Sequence, residues 1–368
     1  MVADILFYSL TFFTVVYIYY YLFYFASVLR IKEATHVDKH LPVSVIICAQ
    51  NELPNLQKLI PALFDQNYHN FEVVIVNDRS YDGTYDYLEE VKKVYGNLKI
   101  VHVEDNKANM DGKKYGLTLG IKAAKNDYLL FTDADCLPAN QNWILQMQSQ
   151  FSEGKKIILG ISQYEKKSGL LNLIIRFETL YTTIQYLSAA VNGKPYMGVG
   201  RNLAYTKSLF LENKGFHPYM YITGGDDDLF VNRLANSENT GINVTFSSQT
   251  VSVPKVTWRE WLHQKVRHLS VSKYYNQPSK IFLGILNFSH ILVFFLFISV
   301  LFTEEYRIFG LVELYVRWLV MIILFSLIAK KLRYSISAWK VIIFDIIFPF
   351  YYITVGFKAL RNKRIKWN

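Results

Sequence analysis

Residues Ile5–Leu29 form a run of 25 residues without a single charge. About 20 apolar residues cross the hydrocarbon core of a bilayer, so this run ties the chain to a membrane. It is too long for a signal-peptide core and no small-residue cleavage site follows it, which makes 1–30 a permanent N-terminal transmembrane helix. Asp4 precedes the run; Arg30 and Lys32 follow it. The positive-inside rule then places the next segment in the cytoplasm.

Ile281–Phe302 and Ile308–Ala329 are two more runs of spanning length, joined by a loop with Glu304 and Glu305 and followed by Lys330, Lys331 and Arg333. One run going out and the other coming back keeps the basic flanks inside. Glu313 and Arg317, four apart in the second run, are expected to pair on one helix face, which lowers the cost of charge in the bilayer. Val341–Phe357 contains Asp345 and Pro349, with Lys340 before it and Lys358, Arg361, Lys363, Arg364 and Lys366 after it. Spanning would put the basic tail 358–368 outside. A re-entrant or interfacial segment is therefore expected, and it completes a C-terminal membrane region over 281–357.

Hydrophobic residues make up 51% of the chain and the net charge is +10. Much of the positive charge flanks apolar runs, and there is no helix-turn-helix, zinc-finger or RNA-stacking motif. Membrane orientation accounts for the charge, and no nucleic-acid partner is expected. The two cysteines, Cys48 and Cys136, spell no C-x-x-C and support neither a metal site nor a disulfide framework.

Between the membrane segments, 42–255 alternates short apolar runs with helical stretches. Val43–Cys48, Phe71–Asn77, Leu98–Val103, Tyr128–Asp135 and Lys156–Ile161 read as strands. Leu53 to Asp65, Tyr85–Val94 and Asn140–Phe151 read as helices. That order predicts an α/β domain with a parallel sheet. Wholly apolar runs such as Tyr128–Phe131 suit strands buried on both faces. Leu170–Val191 reads as a long amphipathic helix at the membrane surface. Trp258–Tyr275 is basic and tryptophan-rich, the pattern of a helix in the headgroup plane, and sets off 256–280 as an amphipathic interfacial unit.

Polar residues gather where these strands end: Asn51 and Glu52 after the first, Asp78 after the second, Asp133 and Asp135 in the fourth. Each alone also fits a cap or a turn. Together they outline one sheet edge, the edge at which open α/β sheets bind ligands. Asp133 and Asp135 lie two apart, so on an extended chain both face one spot. Two hard oxygen ligands there suit Mg²⁺ or Mn²⁺ held with substrate phosphates. Lys107–Leu117 is a basic, glycine-containing loop entering a helix, which favours phosphate. Gly193–Tyr205 is a glycine-interrupted loop carrying Arg201 and Asn202. In Thr223–Arg233, three adjacent acids open a helix. Mutual repulsion is expected to raise at least one of their pKa values, as a general base requires. Gln264 and Arg267 lie one helical turn apart and face one side.

These residues resemble the family 2 glycosyltransferases, membrane-associated inverting enzymes with a GT-A catalytic fold, over about Pro42 to Tyr275. PVSVIICAQNE is similar to the family's first strand and N-E turn, and VVIVNDRSYDGT to its second strand, with Asp78 in the nucleoside-binding position. GKKYGL is similar to its phosphate-side lysine motif at Lys113, TDAD to its D-x-D, and VGRNLAY to its G-x-N-x-A loop. GDDDLFVNR resembles the helix start that carries the catalytic base. That base falls on Asp227, or on Asp226 if the alignment slips by one residue. HQKVRH resembles Q-x-x-R-W at Gln264 and Arg267, with His268 replacing the tryptophan that helps hold the acceptor sugar in chain-building synthases.

The resemblance implies transfer of a sugar from a nucleotide-diphospho-sugar, a UDP-sugar first among donors, to a lipid-linked or glycan acceptor at the cytoplasmic face of the bilayer, with a single addition. Asp133 and Asp135 would hold the metal, and Asn51, Glu52, Asp78, Lys113, Asp133, Arg201, Asn202, Gln264 and Arg267 the donor. A processive synthase of the same family and a non-catalytic nucleotide-sugar sensor are the alternatives.

Overall fold

The computed structural model describes residues 1–33, 40–104, 112–151 and 154–361. Helix α1 (Val2–Tyr19) continues through tighter and wider turns to Arg30. Then follow β1 (Val43–Ala49), α2 (Leu53–Phe64), β2 (Phe71–Asp78), α3 (Thr84–Val91), β3 (Leu98–Val103) and α4 (Gly112–Ala123). Next come β4 (Tyr128–Phe131), β5 (Cys136–Pro138), α5 (Trp143–Gln148), β6 (Ile157–Leu159) and β7 (Ser162–Tyr164). Helix α6 (Leu170–Val191) leads to β8 (Leu203–Thr206), α7 (Lys207–Glu212), α8 (Asp228–Leu234), β9 (Thr240–Ile242) and β10 (Thr250–Ser252). Four helices complete the described chain: α9 (Trp258–Val271), α10 (Gln277–Leu301), α11 (Arg307–Lys331) and α12 (Val341–Arg361).

The main sheet has seven strands in the order β3-β2-β1-β4-β8-β6-β9. It is mostly parallel; only β8 runs against its neighbours β4 and β6. Side-chain alternation sorts the apolar runs into two cores. Val45, Ile47, Val73, Ile75 and Leu130 point to the face covered by α2 and α5. Ile46, Cys48, Val74, Val76, Leu129 and Phe131 point to the face covered by α4 and α6. Each such side chain contributes roughly 1.5–3 kcal/mol on burial, so an aspartate at Ile46 or Ile47 would break the sheet's centre. Helix α4 lies unusually close to β1 and β2. A Cβ at Gly116 would come within 2.7 Å of Cys48 Sγ, and one at Gly120 within 2.7 Å of a Val76 methyl.

A second sheet of three short strands, β5-β10-β7, sits beside the end of β4. The expected strand Tyr128–Asp135 therefore stops at Phe131, and Thr132–Asp135 form the turn that carries the chain into the small sheet. The expected helix Asn140–Phe151 shortens to α5, because the Asn140 side chain turns back to accept from the Asn142 amide at 2.9 Å.

Helix α6 is not the two-faced surface helix expected. It is buried on nearly all sides, between the sheet and the apolar helices. Phe177 stacks on Phe325 and Phe344, and Tyr181 meets Phe25 edge-on. Its polar face was misleading because Thr179 and Thr183 donate to carbonyls one turn back and need no water.

Four helices, Val2–Arg30, α10, α11 and Val341–Ala359, are long and apolar enough to cross a membrane. Glu313 and Arg317 do not pair. Glu313 turns to α1, where it accepts from Thr11 at 2.5 Å, while Arg317 pairs with Asp345 of α12. Nor does Val341–Phe357 form a re-entrant hairpin: it lies in one unbroken helix of 21 residues.

Candidate active site

The turn after β4 and the start of α8 converge on one cavity. Cys48, Lys113, Thr132, Asp133, Gly200, Tyr205, Asp226 and Asp227 are among its lining residues. Lys113, on the first turn of α4, bridges the two acidic elements: its Nζ lies 2.8 Å from Asp133 Oδ1 and 3.1 Å from Asp226 Oδ2. Burial alone would lower the Lys113 pKa. The charges of Asp133, Asp226 and Asp227 outweigh that and raise it well above the ordinary lysine value. The rest of the Lys107–Leu117 loop, through residue 111, lies outside the described residues.

Asp133 and Asp135 flank a turn, so they do not share a face as they would on a strand. Asp133 opens on the cavity, whereas Asp135 Oδ1 sits 3.4 Å from Ser252 Oγ on the small sheet. They remain close enough to interact: burial and then the Asp133 charge raise the Asp135 pKa, against the nearby Arg201. Glu52 also belongs to this edge. Its pKa is raised by burial first, with the charges of Asp135 and Asp133 adding to it. Among the described residues no three His, Cys, Asp or Glu side chains form a cluster that could hold a metal unaided. Two carboxylates at a turn instead fit a hard cation that completes its shell with water and phosphate oxygens.

The three acids opening α8 differ in environment. Asp227 is the N-cap: its carboxylate accepts from the amides of Asp228 and Gly200, both at 2.7 Å. A Cβ at Gly200 would lie 3.3 Å from Asp227 Oδ2 and would push the carboxylate by a few tenths of an ångström. Burial and the Asp226 charge raise the Asp227 pKa, with Lys113 opposing. Asp226 is buried too, yet Lys113 and Lys114 outweigh burial and lower its pKa. Asp228 points away, accepts from Tyr275 Oη at 2.7 Å, and is raised well above the carboxylate range by burial and then by Asp227.

Helix α9 meets the small sheet through Gln264. Gln264 Nε2 reaches Tyr164 Oη at 3.5 Å, and the Arg201 guanidinium lies 4.3 Å from the centre of the Tyr164 ring. Burial first, and then the charges of Arg267, Lys265, Arg201 and Lys113, push the His268 pKa below the ordinary histidine value. An ion pair between Lys265 and Glu178 fastens α9 to α6.

Three expected donor residues are occupied elsewhere. Asn202 is fully buried: it donates to the Ile161 and Ser248 carbonyls, both at 2.7 Å, and accepts from Trp143 Nε1 at 3.0 Å. That leaves its side chain architectural, holding β8 to its neighbours, and not in the crevice. Asn51, at φ +55°, accepts from the Tyr81 amide at 2.9 Å and shapes the turn after β1. Asp78 is buried beneath Arg79, whose Nε and Nη2 lie 2.8 and 3.2 Å from its two oxygens.

Residue-by-residue reading missed Lys114, which is fully buried. It donates to the Ile222 carbonyl in the loop before the acid cluster and lies 5.6 Å from the Tyr219 ring centre. The only signal was the doublet Lys113-Lys114; nothing in it says which lysine turns inward. Tyr164 and Tyr275 were likewise invisible, because their partners lie about 40 or more residues away in the chain.

A mostly parallel sheet with acids at its carboxyl edge and a D-x-D turn defines the GT-A class of nucleotide-sugar transferase folds. The mannosyltransferase PcManGT of Pyrobaculum calidifontis, solved with GDP-Man and Mn²⁺, has this fold: it superposes with a TM-score of 0.63 over 98% of this chain and 100% of its own, at 16% identity. Residues 44–212 match the model of glycosyl transferase family 2, and the chain carries a domain of that family. Among curated relatives, glycosyltransferase AglE of Haloferax volcanii is 29% identical over 217 residues, covering 57% of this chain and 65% of its own length. An uncharacterized glycosyltransferase of Haemophilus influenzae is 31% identical over 134 residues, covering 35% and 40%. The poly-beta-1,6-N-acetyl-D-glucosamine synthase of Staphylococcus aureus is 27% identical over 181 residues, covering 46% and 42%. The chain thus spans less than two thirds of the length of each.

Proposed function

We propose that this protein transfers a single sugar, with inversion, from a nucleotide-diphospho-sugar to a lipid-linked or glycan acceptor at the cytoplasmic face of a membrane. The observation that carries this reading is the single cavity onto which Asp133, Lys113, Asp226 and Asp227 all open. Donor phosphates and an acceptor hydroxyl can meet there within reach of both an acid turn and a base.

Asp227 is the general base. It is raised, capped and open to the cavity, whereas Asp226 is held ionised in its pair with Lys113. Deprotonating the acceptor hydroxyl as it attacks is the kind of step a carboxylate with an elevated pKa performs. Asp133 and Asp135 would hold Mg²⁺ or Mn²⁺; when bound, the cation neutralises charge developing on the leaving diphosphate. PcManGT, solved with Mn²⁺, supports that assignment. Lys113 adds positive field at the same phosphates, and Arg201, Gln264 and Arg267 bind them from the α9 side. Asp78 takes the nucleoside once Arg79 swings off it. His268, at the position of the acceptor-holding tryptophan, favours one addition over chain growth.

The test uses purified full-length protein with labelled UDP-, GDP- and dTDP-sugars. Asp227→Asn and Asp135→Ala should each lower transfer by roughly 100-fold or more while the first still binds donor. Full transfer by both variants overturns the role assignments, and a ladder of long products overturns single addition.

A further inference from the structure

We infer that α12 does not cross the bilayer but lies across the spanning helices beneath α9, with both its ends on the side of the catalytic domain and an apolar stripe seated in that leaflet. The inference rests on reading α1, α10 and α11 as membrane helices.

Length and composition alone would make α12 a fourth span. Its contacts decide otherwise. The segment entering it is bound to the catalytic domain: Gln249 donates to the Leu332 carbonyl at 3.1 Å, and Arg176 donates to the Ser335 carbonyl and hydroxyl at 3.0 and 2.8 Å. The far end is bound there too. Tyr351 stacks on Trp261, with ring centres 5.6 Å apart, and Val355 and Ala359 bury against Val266.

Those partners belong to α9, and α9 cannot enter hydrocarbon. In 14 residues it carries Arg259, Glu260, Lys265 and Arg267 besides His263 and His268, with Arg259, Glu260 and His263 exposed. At roughly 2.5–3.5 kcal/mol for each charge near the bilayer centre, no apolar face of that helix would compensate. The half of α12 packed on α9 therefore lies within one helix spacing, about 8–10 Å, of the depth of α9.

Between its two anchored ends α12 crosses α10 without running along it. Asp345 and Tyr352 are seven residues apart, about 10.5 Å along the helix axis, yet both meet His290: the Asp345 carbonyl at 3.0 Å from Nε2, and the Tyr352 ring at 6.4 Å between centres. The other ring contact with α10 is Phe350 on Phe294 and Phe295, within two turns of His290. By contrast α1 follows α10 from Phe13 on Phe288 to Tyr24 on Phe282.

The face of α12 turned from the protein is exposed at Ile343, Ile346, Phe350, Ile353 and Phe357. Steps of three and four make this one stripe. It continues the lipid-facing surface of α10 through the Phe350 rings, and exposed Lys358 and Arg361 follow at its end. An apolar stripe ending in cations fits the acyl–headgroup boundary of a leaflet containing anionic lipid.

Impermeant-maleimide labelling of the full-length protein in sealed vesicles tests this. Single-cysteine variants would be Val94→Cys on the catalytic domain, Glu305→Cys in the loop between α10 and α11, and Lys358→Cys. The parent serves as blank, since Cys48 and Cys136 are both buried. Lys358→Cys should label with Val94→Cys, and Glu305→Cys only after the vesicles are opened or inverted. Lys358→Cys labelling with Glu305→Cys overturns the inference while leaving the spanning helices intact. Glu305→Cys labelling with Val94→Cys overturns the spanning reading itself, and this inference with it.

Discussion

Three neighbouring carboxylates, Asp226–Asp228, show how strongly position alone separates acids of identical chemistry. Asp226 faces Lys113, Asp227 faces the cavity and two amides, and Asp228 faces Tyr275. Only the middle one combines a raised pKa with access. A base must be ionised to accept a proton, so activity falls as pH drops through its pKa. The acid limb of kcat/KM should therefore lie above the ordinary aspartate value of about 4, and it should vanish in Asp227→Asn along with roughly 10²–10⁴-fold of the rate. Asp228→Asn should cost no more than a few fold, because an amide oxygen can still accept from Tyr275; equal losses at both positions would refute the assignment. Gly200→Ala is a finer probe. Its new methyl meets Asp227 Oδ2 at 3.3 Å, and displacement of a catalytic group by even a fraction of an ångström is felt in kcat. A drop of about tenfold or more with unchanged melting temperature is expected.

The elements differ in how far they could be read from sequence, and burial explains the difference. Strands β1 and β2 are legible because a mostly apolar run buried along its whole length has few alternatives to a sheet covered on both faces. Strand β6 was legible within the run Lys156–Ile161, whereas β8 and β9, at four and three residues, are defined by partners far along the chain, and the small sheet that follows Asp135 went unread for the same reason. The acids were found, since carboxylates at strand ends are conspicuous. The second layer that holds them was not: Asn202 sits in a motif-like stretch yet serves the core. Helix α9 was legible, but the ion pair that fastens it was not. Its Lys265 is paired with Glu178 on α6, both side chains nearly buried, which fixes the helix that carries Gln264 and Arg267. Removing one partner of such a pair leaves a lone charge and costs roughly 3–5 kcal/mol. Glu178→Gln should thus lower the melting temperature and raise the donor KM together, and Glu178→Met with Lys265→Leu should recover stability more than either single change. If the donor KM is unmoved in Glu178→Gln, α9 does not depend on this strap.

At the scale of the whole molecule, the catalytic sheet and the membrane helices share one continuous apolar core, which runs from Ile46 and Val76 through α6 to Phe325 and Phe344. The sheet domain is therefore packed directly on the apolar helices and does not hang from a linker. The seat depends on charges buried among the helices. Arg317 of α11, Asp345 of α12 and His290 of α10 meet at one node, with Trp318 Nε1 donating to Asp345 at 2.9 Å. A node of this kind is a poor source of stability compared with apolar residues of the same size, but breaking it from one side strands a charge. Asp345→Leu or Arg317→Met alone should each destabilise the detergent-solubilised protein by about 3–5 kcal/mol and loosen α12 from α9, seen as a lower melting temperature and faster proteolysis after Lys358. The double variant should regain most of the lost stability. Its transfer activity then separates two roles: recovery to parental rates makes the node purely a fastening between helices, whereas a stable but slow double variant would mean that the height of the domain over the leaflet, set by these three side chains, is itself a determinant of acceptor delivery.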